Sequence, residues 1–300
     1  MRKWTSPRIR RPRTAWPWTF FVVIGLAWLC TVGCSRARSN EPNQPAVRQY
    51  QYRVVASYPH DRQAFTQGLV YENGVLYEGT GLYGRSVLAK RDLKTGKTLK
   101  IIHLAKRQFG EGITIFGDKI FQLTWQNETG FVYRKDTFTL LKEFTYSTEG
   151  WGLTHDGKRL IYSDGTDLLH FLDPNTLTET GKVEVRDRGR RVEGLNELEY
   201  IPSQAGNVAG GASGLQPTAS GLIFANIWPL DEIVVIDPKT GRVVGRLDLS
   251  AIYPRPENSE DVLNGIAWMP ESRHLLVTGK LWPKIYEIEL TPALTDNSQQ

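Results

Sequence analysis

Cysteine is almost absent from this chain. Only two of its 300 residues are cysteines, Cys30 and Cys34, and both lie near the N-terminus. Residues 35–300 therefore contain no disulfide and no thiolate nucleophile, and a domain formed there has to be stabilised by packing and hydrogen bonds alone.

A basic surface is also missing from most of the chain. The formal charge of +5 is due to the N-terminus, since residues 1–38 hold eight Arg and Lys and no acid, which leaves −3 for residues 39–300. A nucleic-acid-binding domain needs a basic stripe on its folded surface. The charge distribution thus predicts that nucleic acid is not a partner.

Metal-binding and triad patterns are scarce as well. The five histidines, at positions 60, 103, 155, 170 and 274, include no pair at the i,i+2 or i,i+4 spacing of a metal site. No serine stands in a recognisable partnership with His and Asp. We therefore expect no metal and no cofactor.

An uncharged run, residues 14–33, follows a basic segment that ends at Arg13. This layout is typical of an export signal, and the run is also long enough to span a bilayer. Residues 31–34 (TVGC) resemble a lipobox with Cys34 as the lipidated residue, although Thr31 stands where Leu is usual. Cleavage after the small residues and retention as an uncleaved anchor are the alternatives. All three predict an exported protein on the periplasmic or extracellular side, with membrane contact only through this leader.

The remaining chain divides by composition. Residues 35–49 are polar, contain Pro42 and Pro45, and are interpreted as a flexible tether after the leader at 1–34. Residues 50–291 are predicted to form one folded domain, and residues 292–300 a disordered tail. The protein is expected to act as a monomer.

Five short related segments, four of which contain glycine, recur through the predicted domain. They are residues 65–69 (FTQGL), 109–113 (FGEGI), 149–153 (EGWGL), 195–199 (LNELE) and 263–267 (LNGIA). Successive starts differ by 44, 40, 46 and 68 residues. A period of about 40–50 residues made of short strands indicates a β-propeller with one four-stranded blade per repeat.

Each repeat continues with further strand signals. An alternating second strand follows each repeated segment, as in residues 75–79 (VLYEG) and 119–123 (KIFQL), and third strands end in Asp turns, as in residues 233–241 (IVVIDPKTG). The predicted fold class is all-β, a five-bladed β-propeller. The last repeat ends after three strands, so residues 51–57 are predicted to supply its outer strand and close the ring. A β-sandwich of regular hairpins is the alternative.

Two insertions interrupt the repeats. Residues 203–220 are rich in Gly, Ala and Ser and are interpreted as a mobile surface loop, and residues 253–261 as a longer loop near the mouth of the propeller.

Unusual side chains occur in the repeated segments and at the ends of the strands that follow. A propeller would bring these residues to one end of its axis, as an aromatic cup with a few polar groups typical of a small-ligand site: Gln67, Glu111, Trp125, Trp151, Asn196, Trp228 and Lys280. Taken singly, Glu111 could be a solvated turn residue, each Trp a core residue, Lys280 an exposed charge and Asn196 a turn cap.

The motifs together resemble the plant-type glutaminyl-peptide cyclotransferases, a family that also has bacterial members. They are residues 65–69 (FTQGL), 76–80 (LYEGT), 109–112 (FGEG), 123–126 (LTWQ), 149–153 (EGWGL), 195–198 (LNEL), 226–228 (NIW), 263–267 (LNGIA) and 278–282 (TGKLW). The resemblance extends from about residue 52 to residue 290 and breaks only at residues 203–220.

This resemblance implies a five-bladed propeller that converts an N-terminal glutaminyl residue of a peptide or protein to pyroglutamyl and releases ammonia without a metal. It places the acid/base glutamate at Glu111 and its polar partners at Gln67, Asn196 and Lys280. It places the aromatic pocket at Phe65, Phe109, Trp125, Trp151 and Trp228. Aromatic enclosure is expected to raise the pKa of Glu111, and Lys280 to oppose that rise.

Two other functions remain open at this level. The first is a non-catalytic propeller that binds peptide N-termini or small ligands in the same cup. The second is a metal-dependent, lactonase-like propeller, which would need several carboxylates around the axis; Glu111 and the pair Glu197 and Glu199 are the acids available.

Overall fold

The computed structural model describes residues 46–203, 220–255 and 259–292. The predicted leader, most of the tether, nearly all of the 203–220 loop and the tail after residue 292 lie outside the described residues, as does the middle of the 253–261 loop. Across the described ranges the regular structure is all β, and no helix there is long and apolar enough to cross a membrane.

The strands follow the chain as β1 (Arg48–Pro59), β2 (Thr66–Glu72), β3 (Val75–Thr80), β4 (Val87–Asp92), β5 (Thr98–His103), β6 (Gly110–Phe116), β7 (Lys119–Thr124), β8 (Thr129–Arg134), β9 (Leu140–Thr145), β10 (Leu153–His155), β11 (Leu160–Ser163), β12 (Leu168–Leu172), β13 (Glu179–Glu184), β14 (Arg186–Asp187), β15 (Arg190–Arg191), β16 (Leu195–Ile201), β17 (Leu222–Ile227), β18 (Glu232–Ile236), β19 (Val243–Asp248), β20 (Leu263–Met269), β21 (His274–Gly279) and β22 (Lys284–Pro292).

Consecutive strands pair with each other in antiparallel fashion. Strands β2–β5, β6–β9 and β10–β13 form three separate four-stranded sheets, and β14 and β15 form a two-stranded one. Strands β16–β19 and β20–β22 form two further groups, which β1 joins into one eight-stranded sheet. The predicted repeats therefore correspond to successive groups of strands.

Strand β1 lies beside the last strand of the chain's last group. It pairs antiparallel with β22 from Tyr50, opposite Pro292, to Pro59, opposite Lys284, and its first three residues pair in parallel with β19. The segment predicted to add an outer strand to the last repeat does pair there. The strand begins at Arg48, inside the segment interpreted as tether, because its pairing with β19 extends the ladder.

The turns between third and fourth strands have the predicted chemistry. The carboxylates of Asp92, Asp173 and Asp237 each accept hydrogen bonds from backbone N–H groups two or three residues further on. Gly96 and Gly241 occupy the left-handed region at φ +69°, which only glycine enters without strain. These turns fix which strand pairs with which.

The first strands of the five groups lie against each other in chain order. Strand β2 contacts β6, β6 contacts β10, β10 contacts β16, and β16 contacts β20. Strand β20 in turn contacts β2. Each pair of neighbouring groups also shares one hydrophobic cluster, including a cluster of Leu69, Leu76 and Ala267 between the last group and the first. The apolar core is therefore divided among the spaces between adjacent sheets.

The first strands approach so closely that glycine is required. A Cβ atom on Gly68 would lie 2.4 Å from the backbone N of Ile113, and one on Gly112 would lie 2.5 Å from the N of Leu153. Both contacts are with the backbone of the next group, so no side-chain rotation could relieve them. This accounts for the glycines of the repeated segments.

Candidate active site

A repeated irregularity sets the direction of the polar side chains. The pairing register between first and second strands shifts near the start of β2, β6, β16 and β20. The residues that lie within these shifts include Gln67, Glu111, Asn196 and Asn264. A bulge inserts a residue and re-aims a side chain. Trp151 has the equivalent place just before β10. Five different groups of strands thus each direct one polar or aromatic side chain from the same position.

Glu111 lies at the centre of the resulting polar cluster. Its side chain is buried, with the residue only 4% exposed, and its Oε1 accepts a hydrogen bond of 2.9 Å from Nε2 of Gln67. Asn264 Nδ2 in turn donates to Gln67 Oε1 at 2.9 Å and to the backbone oxygen of Thr66. Glu111 is therefore not the solvated turn residue that its flanking glycines allowed.

Burial raises the pKa of the Glu111 carboxyl well above its usual range. The Lys280 ammonium opposes this rise and the negative charge of Glu149 adds to it. Burial likewise lowers the pKa of Lys280, against the attraction of Glu111 and Glu260. The direction expected for the pKa of Glu111 and the opposing effect of Lys280 agree with this, while aromatic enclosure as the source of the burial stays a prediction.

Lys280 follows β21 and is held by its backbone. Its N–H donates to the carbonyl of Val262 at 2.9 Å, and the next residue, Leu281, donates to Ala64 at 2.7 Å. The residue is 6% exposed, and its Nζ lies 4.8 Å from the ring centroid of Phe65. A buried ammonium over an aromatic face is not the exposed charge of the simplest interpretation.

The aromatic side chains form two contacting series. In the first, Phe109 packs edge-on against Phe65 at 6.1 Å, Trp125 at 5.5 Å and Tyr83 at 5.4 Å between ring centroids. In the second, Trp151 packs edge-on against Trp228 at 6.0 Å. Trp228 is 48% exposed, so about half of its surface faces solvent, and its predicted role as a wall of the cup stays a prediction.

Glu149 joins the two series. Its Oε2 accepts the indole N–H of Trp125 at 2.7 Å and that of Trp151 at 3.0 Å. The predicted aromatic residues are thereby linked from Phe65 to Trp228 through direct contacts and one carboxylate.

Contacts of its backbone carbonyl fix the position of Asn196. Its carbonyl accepts a hydrogen bond of 2.7 Å from Ser163 Oγ and lies next to Gly152, which follows Trp151. The side chain is buried, and its Oδ1 has no hydrogen-bond partner in the described part of the chain. A buried amide oxygen of this kind is suited to receive a donor from a ligand.

Comparison with known proteins identifies the family of this chain. The glutamine cyclotransferase family model matches residues 26–290. The chain belongs to this family. A glutaminyl-peptide cyclotransferase of Arabidopsis thaliana is 43% identical over 246 residues, which cover 80% of this chain and 71% of the relative. The crystal structure of Myxococcus xanthus glutaminyl cyclase superposes with a TM-score of 0.71 at 34% identity, over 83% of this chain and all of that one. The fold of this family member is accordingly all-β and propeller-like.

Three residues of the family member's site were missed in the sequence. Asn264 is the residue equivalent to Gln67 and Glu111 in the last repeat, and aligning the repeats on their glycines would have found it. Glu149 begins a repeated segment but was given no role. Tyr83, which is 50% exposed, follows a strand at a position that no motif marks.

The carboxylates of Glu197 and Glu199 accept hydrogen bonds from backbone N–H groups and are not part of a metal cluster. Glu197, at the place that glycine occupies in other repeats, accepts hydrogen bonds from the N–H groups of Leu69 and Ile266, and Glu199 accepts one from Trp268. Within residues 46–203, 220–255 and 259–292 no three His, Cys, Asp or Glu side chains are arranged to hold a metal ion.

A buried charged cluster lies directly behind Gln67. The Glu78 carboxylate accepts hydrogen bonds from His60 at 2.8 Å, Thr66 at 2.8 Å and Arg91 at 3.1 Å. His60 also bonds to the backbone oxygen of Trp282 at 2.7 Å. Because His60 faces a carboxylate and a carbonyl, both of which only accept, both of its ring nitrogens carry protons. The cluster ties the first group of strands to the last.

Proposed function

We propose that this chain is a glutaminyl-peptide cyclotransferase, which converts N-terminal glutaminyl residues of peptides or proteins to pyroglutamyl residues. Family membership and the Arabidopsis relative support the activity. The observation that carries the assignment of the site is the buried carboxyl of Glu111, which accepts a hydrogen bond from Gln67 and feels the charge of Lys280, whose ammonium lies over the ring of Phe65.

The reaction is an internal acyl transfer. The α-amino nitrogen of the substrate forms a bond to its own γ-carboxamide carbon, the bond from that carbon to its NH₂ group breaks, and ammonia leaves. One proton moves from the attacking amine to the departing nitrogen, and no water is consumed. The nucleophile is already tethered to the electrophile, so the site has to fold the side chain back and move that proton.

Glu111 is assigned the proton transfer. A buried carboxyl with a raised pKa is a stronger base than one in water, and after taking the amine proton it is a suitable acid for the leaving nitrogen. The hydrogen bond from Gln67 Nε2 fixes one carboxyl oxygen and leaves the other for substrate. A positioned acid/base of this kind is worth roughly 10²–10⁴ in rate.

Lys280 is assigned to the carboxamide oxygen. Negative charge develops on that oxygen during attack, and a buried ammonium with three donors stabilises it best in a site shielded from water. Asn196, whose amide oxygen lacks a partner in the described residues, is assigned to hold a donor of the substrate. Phe65, Phe109, Trp125 and Trp151 are assigned to the walls, with Trp228 at the rim.

The finer architecture belongs to the same proposal. We infer five blades, with β1 completing the last blade and closing the ring. The cyclic contacts among first strands, the five hydrophobic clusters and the pairing of β1 with β22 support this. We further propose an exported, monomeric enzyme with a catalytic domain over residues 50–291, joined by residues 35–49 to a leader (residues 1–34) that is lipidated, cleaved or retained as an anchor.

Ammonia release tests the activity. The purified full-length chain should release ammonia from a Gln-initiated dipeptide in the presence of a chelator, and the N-acetylated dipeptide should give none, since its nitrogen is no longer nucleophilic. Glu111→Gln should lower kcat by about 10²–10⁴ with an unchanged circular dichroism spectrum.

Two results would contradict the scheme. Loss of activity on chelation with recovery on adding zinc would show that the metal-free mechanism is wrong. Normal turnover by Glu111→Gln would show that another group transfers the proton.

A further inference from the structure

Glu149 is a carboxylate for which the proposed reaction has not yet given a role. It is the first residue of the 149–153 segment, which leads into β10, and it is partly buried. Its Oε2 receives both indole N–H groups, from Trp125 at 2.7 Å and Trp151 at 3.0 Å, and its Oε1 receives Gln126 Nε2 at 3.1 Å. One oxygen atom therefore fixes two walls of the pocket.

The two walls come from different sheets. Trp125 directly follows β7, and Trp151 precedes β10. An indole has one donor and no acceptor, so each ring has a single polar contact through which its rotation can be fixed. Because both donors converge on Glu149, the spacing of the walls depends on one side chain, supported by a backbone bond from Gly150 to the Trp125 carbonyl.

Glu149 also places charge near the reacting carboxyl. Its negative charge contributes to the raised pKa of Glu111. The other groups that face Glu111 are the Lys280 ammonium, which acts in the opposite direction, the phenol of Tyr146, whose own pKa is raised partly by Glu111, and the neutral amide of Gln67. The aromatic geometry and the charge therefore depend on the same side chain.

We propose that Glu149 is a positioning residue for the cyclisation, which holds both indole walls of the pocket, Trp125 and Trp151, at one carboxylate oxygen. The inference rests on the proposed function. It goes further by giving a role to a residue that does not itself transfer a proton to the substrate.

The test measures kcat and KM for a Gln-initiated dipeptide from acid to neutral pH. In Glu149→Gln, one carboxamide oxygen must serve both indoles and the negative charge is gone. We expect KM to rise about 10- to 100-fold, as for loss of hydrogen bonds to a charged group. We also expect the acid limb of the kcat/KM profile to move to lower pH by about one pH unit, since a neighbouring anion is removed.

Three further variants separate wall geometry from charge. Trp125→Phe removes one indole donor and keeps the anion, so KM should rise while the acid limb stays in place. Glu149→Asp keeps the charge with a shorter reach, so it should resemble Trp125→Phe, and it provides a second test if Glu149→Gln does not fold. Glu143→Gln removes an exposed acid on β9 and should change neither quantity.

A KM of Glu149→Gln equal to the wild-type KM overturns the proposal, as does a KM raised equally by Glu143→Gln. The substrate amine titrates identically in every comparison, so a difference between variants reports on the enzyme. A wild-type chain that releases no ammonia would instead refute the proposed function, and this inference would fall with it.

Discussion

Removal of the buried Glu78 carboxylate should destabilise the protein far more than removal of an exposed one. Glu78 is 1% exposed and lies between His60 and Arg91, which together lower its pKa from 4.5 to about 2 against a burial effect that raises it. Each pH unit between those values corresponds to about 1.4 kcal/mol. The folded protein therefore favours the ionised carboxylate by about 3 kcal/mol.

Glu78→Gln keeps the size of the side chain and leaves the buried Arg91 guanidinium without its anion, while His60 loses the carboxylate that raises its pKa. Breaking a buried ion pair at one partner costs about 3–5 kcal/mol, so the free energy of unfolding should fall by about that amount. The matched control is Glu72→Gln, in which an acid paired with Lys135 on a more exposed surface is removed. Such pairs contribute about 0–1 kcal/mol.

The pH dependence supplies a second readout. Glu78 has a depressed folded pKa, so its contribution is complete above pH 4.5 and is lost as the pH falls toward about 2. The difference between wild type and Glu78→Gln should shrink over that window. His60 behaves in the opposite way: its raised pKa gives stability that is complete below 6.5 and lost as the pH rises through the higher folded value.

Urea unfolding followed by tryptophan fluorescence measures these free energies in the full-length chain. Equal losses for Glu78→Gln and Glu72→Gln at pH 7 would refute the reasoning. A difference between wild type and Glu78→Gln that does not change between pH 5 and the lowest pH accessible would show that Glu78 is not held ionised by its neighbours.

Two further variants test the site and the packing of the first strands. Asn264→Ala removes both hydrogen bonds to the Thr66–Gln67 segment, so kcat should fall about tenfold and the free energy of unfolding by about 1–3 kcal/mol. An unchanged kcat in the ammonia-release assay would mean that Gln67 does not need Asn264 to be positioned. Gly112→Ala places a Cβ 2.5 Å from the Leu153 nitrogen and 2.6 Å from the Trp151 oxygen, so stability should fall by about 1–3 kcal/mol and the KM should rise as Trp151 is displaced. A stable Gly112→Ala protein with wild-type KM would contradict the close approach.

Much of the fold could be predicted because the repeats carry local signals. Asp92 and Asp237 open turns through their own side chains, and alternating residues set the two faces of each strand. Strand β1 was predicted as an added outer strand because the last repeat has only three strands of its own. Its start at Arg48 was missed, since the parallel pairing with β19 depends on a neighbour almost 200 residues away.

The candidate site was predicted in part for the same reason. Glu111 and Gln67 could be identified from repeated motifs and from family resemblance, but the hydrogen bond between them could not. Glu149 and Asn264 were overlooked because nothing local distinguishes a carboxylate that binds two indoles, or an amide that binds Gln67, from polar residues in any loop. The prediction of Trp228 as a wall of the pocket stays a prediction: the residue packs against Trp151 and is 48% exposed.

The sequence by itself determined the strand repeats, their turns and the residue types available for chemistry, because side-chain periodicity, turn hydrogen bonds and the steric needs of glycine act over a few residues. Tertiary structure alone decided which of these residues meet. Bulges at the starts of separate first strands bring Gln67, Glu111 and Asn264 into one hydrogen-bonded chain. Burial then gives the carboxyl of Glu111 a basicity that it would not have in water, because removing it from solvent penalises its ionised form.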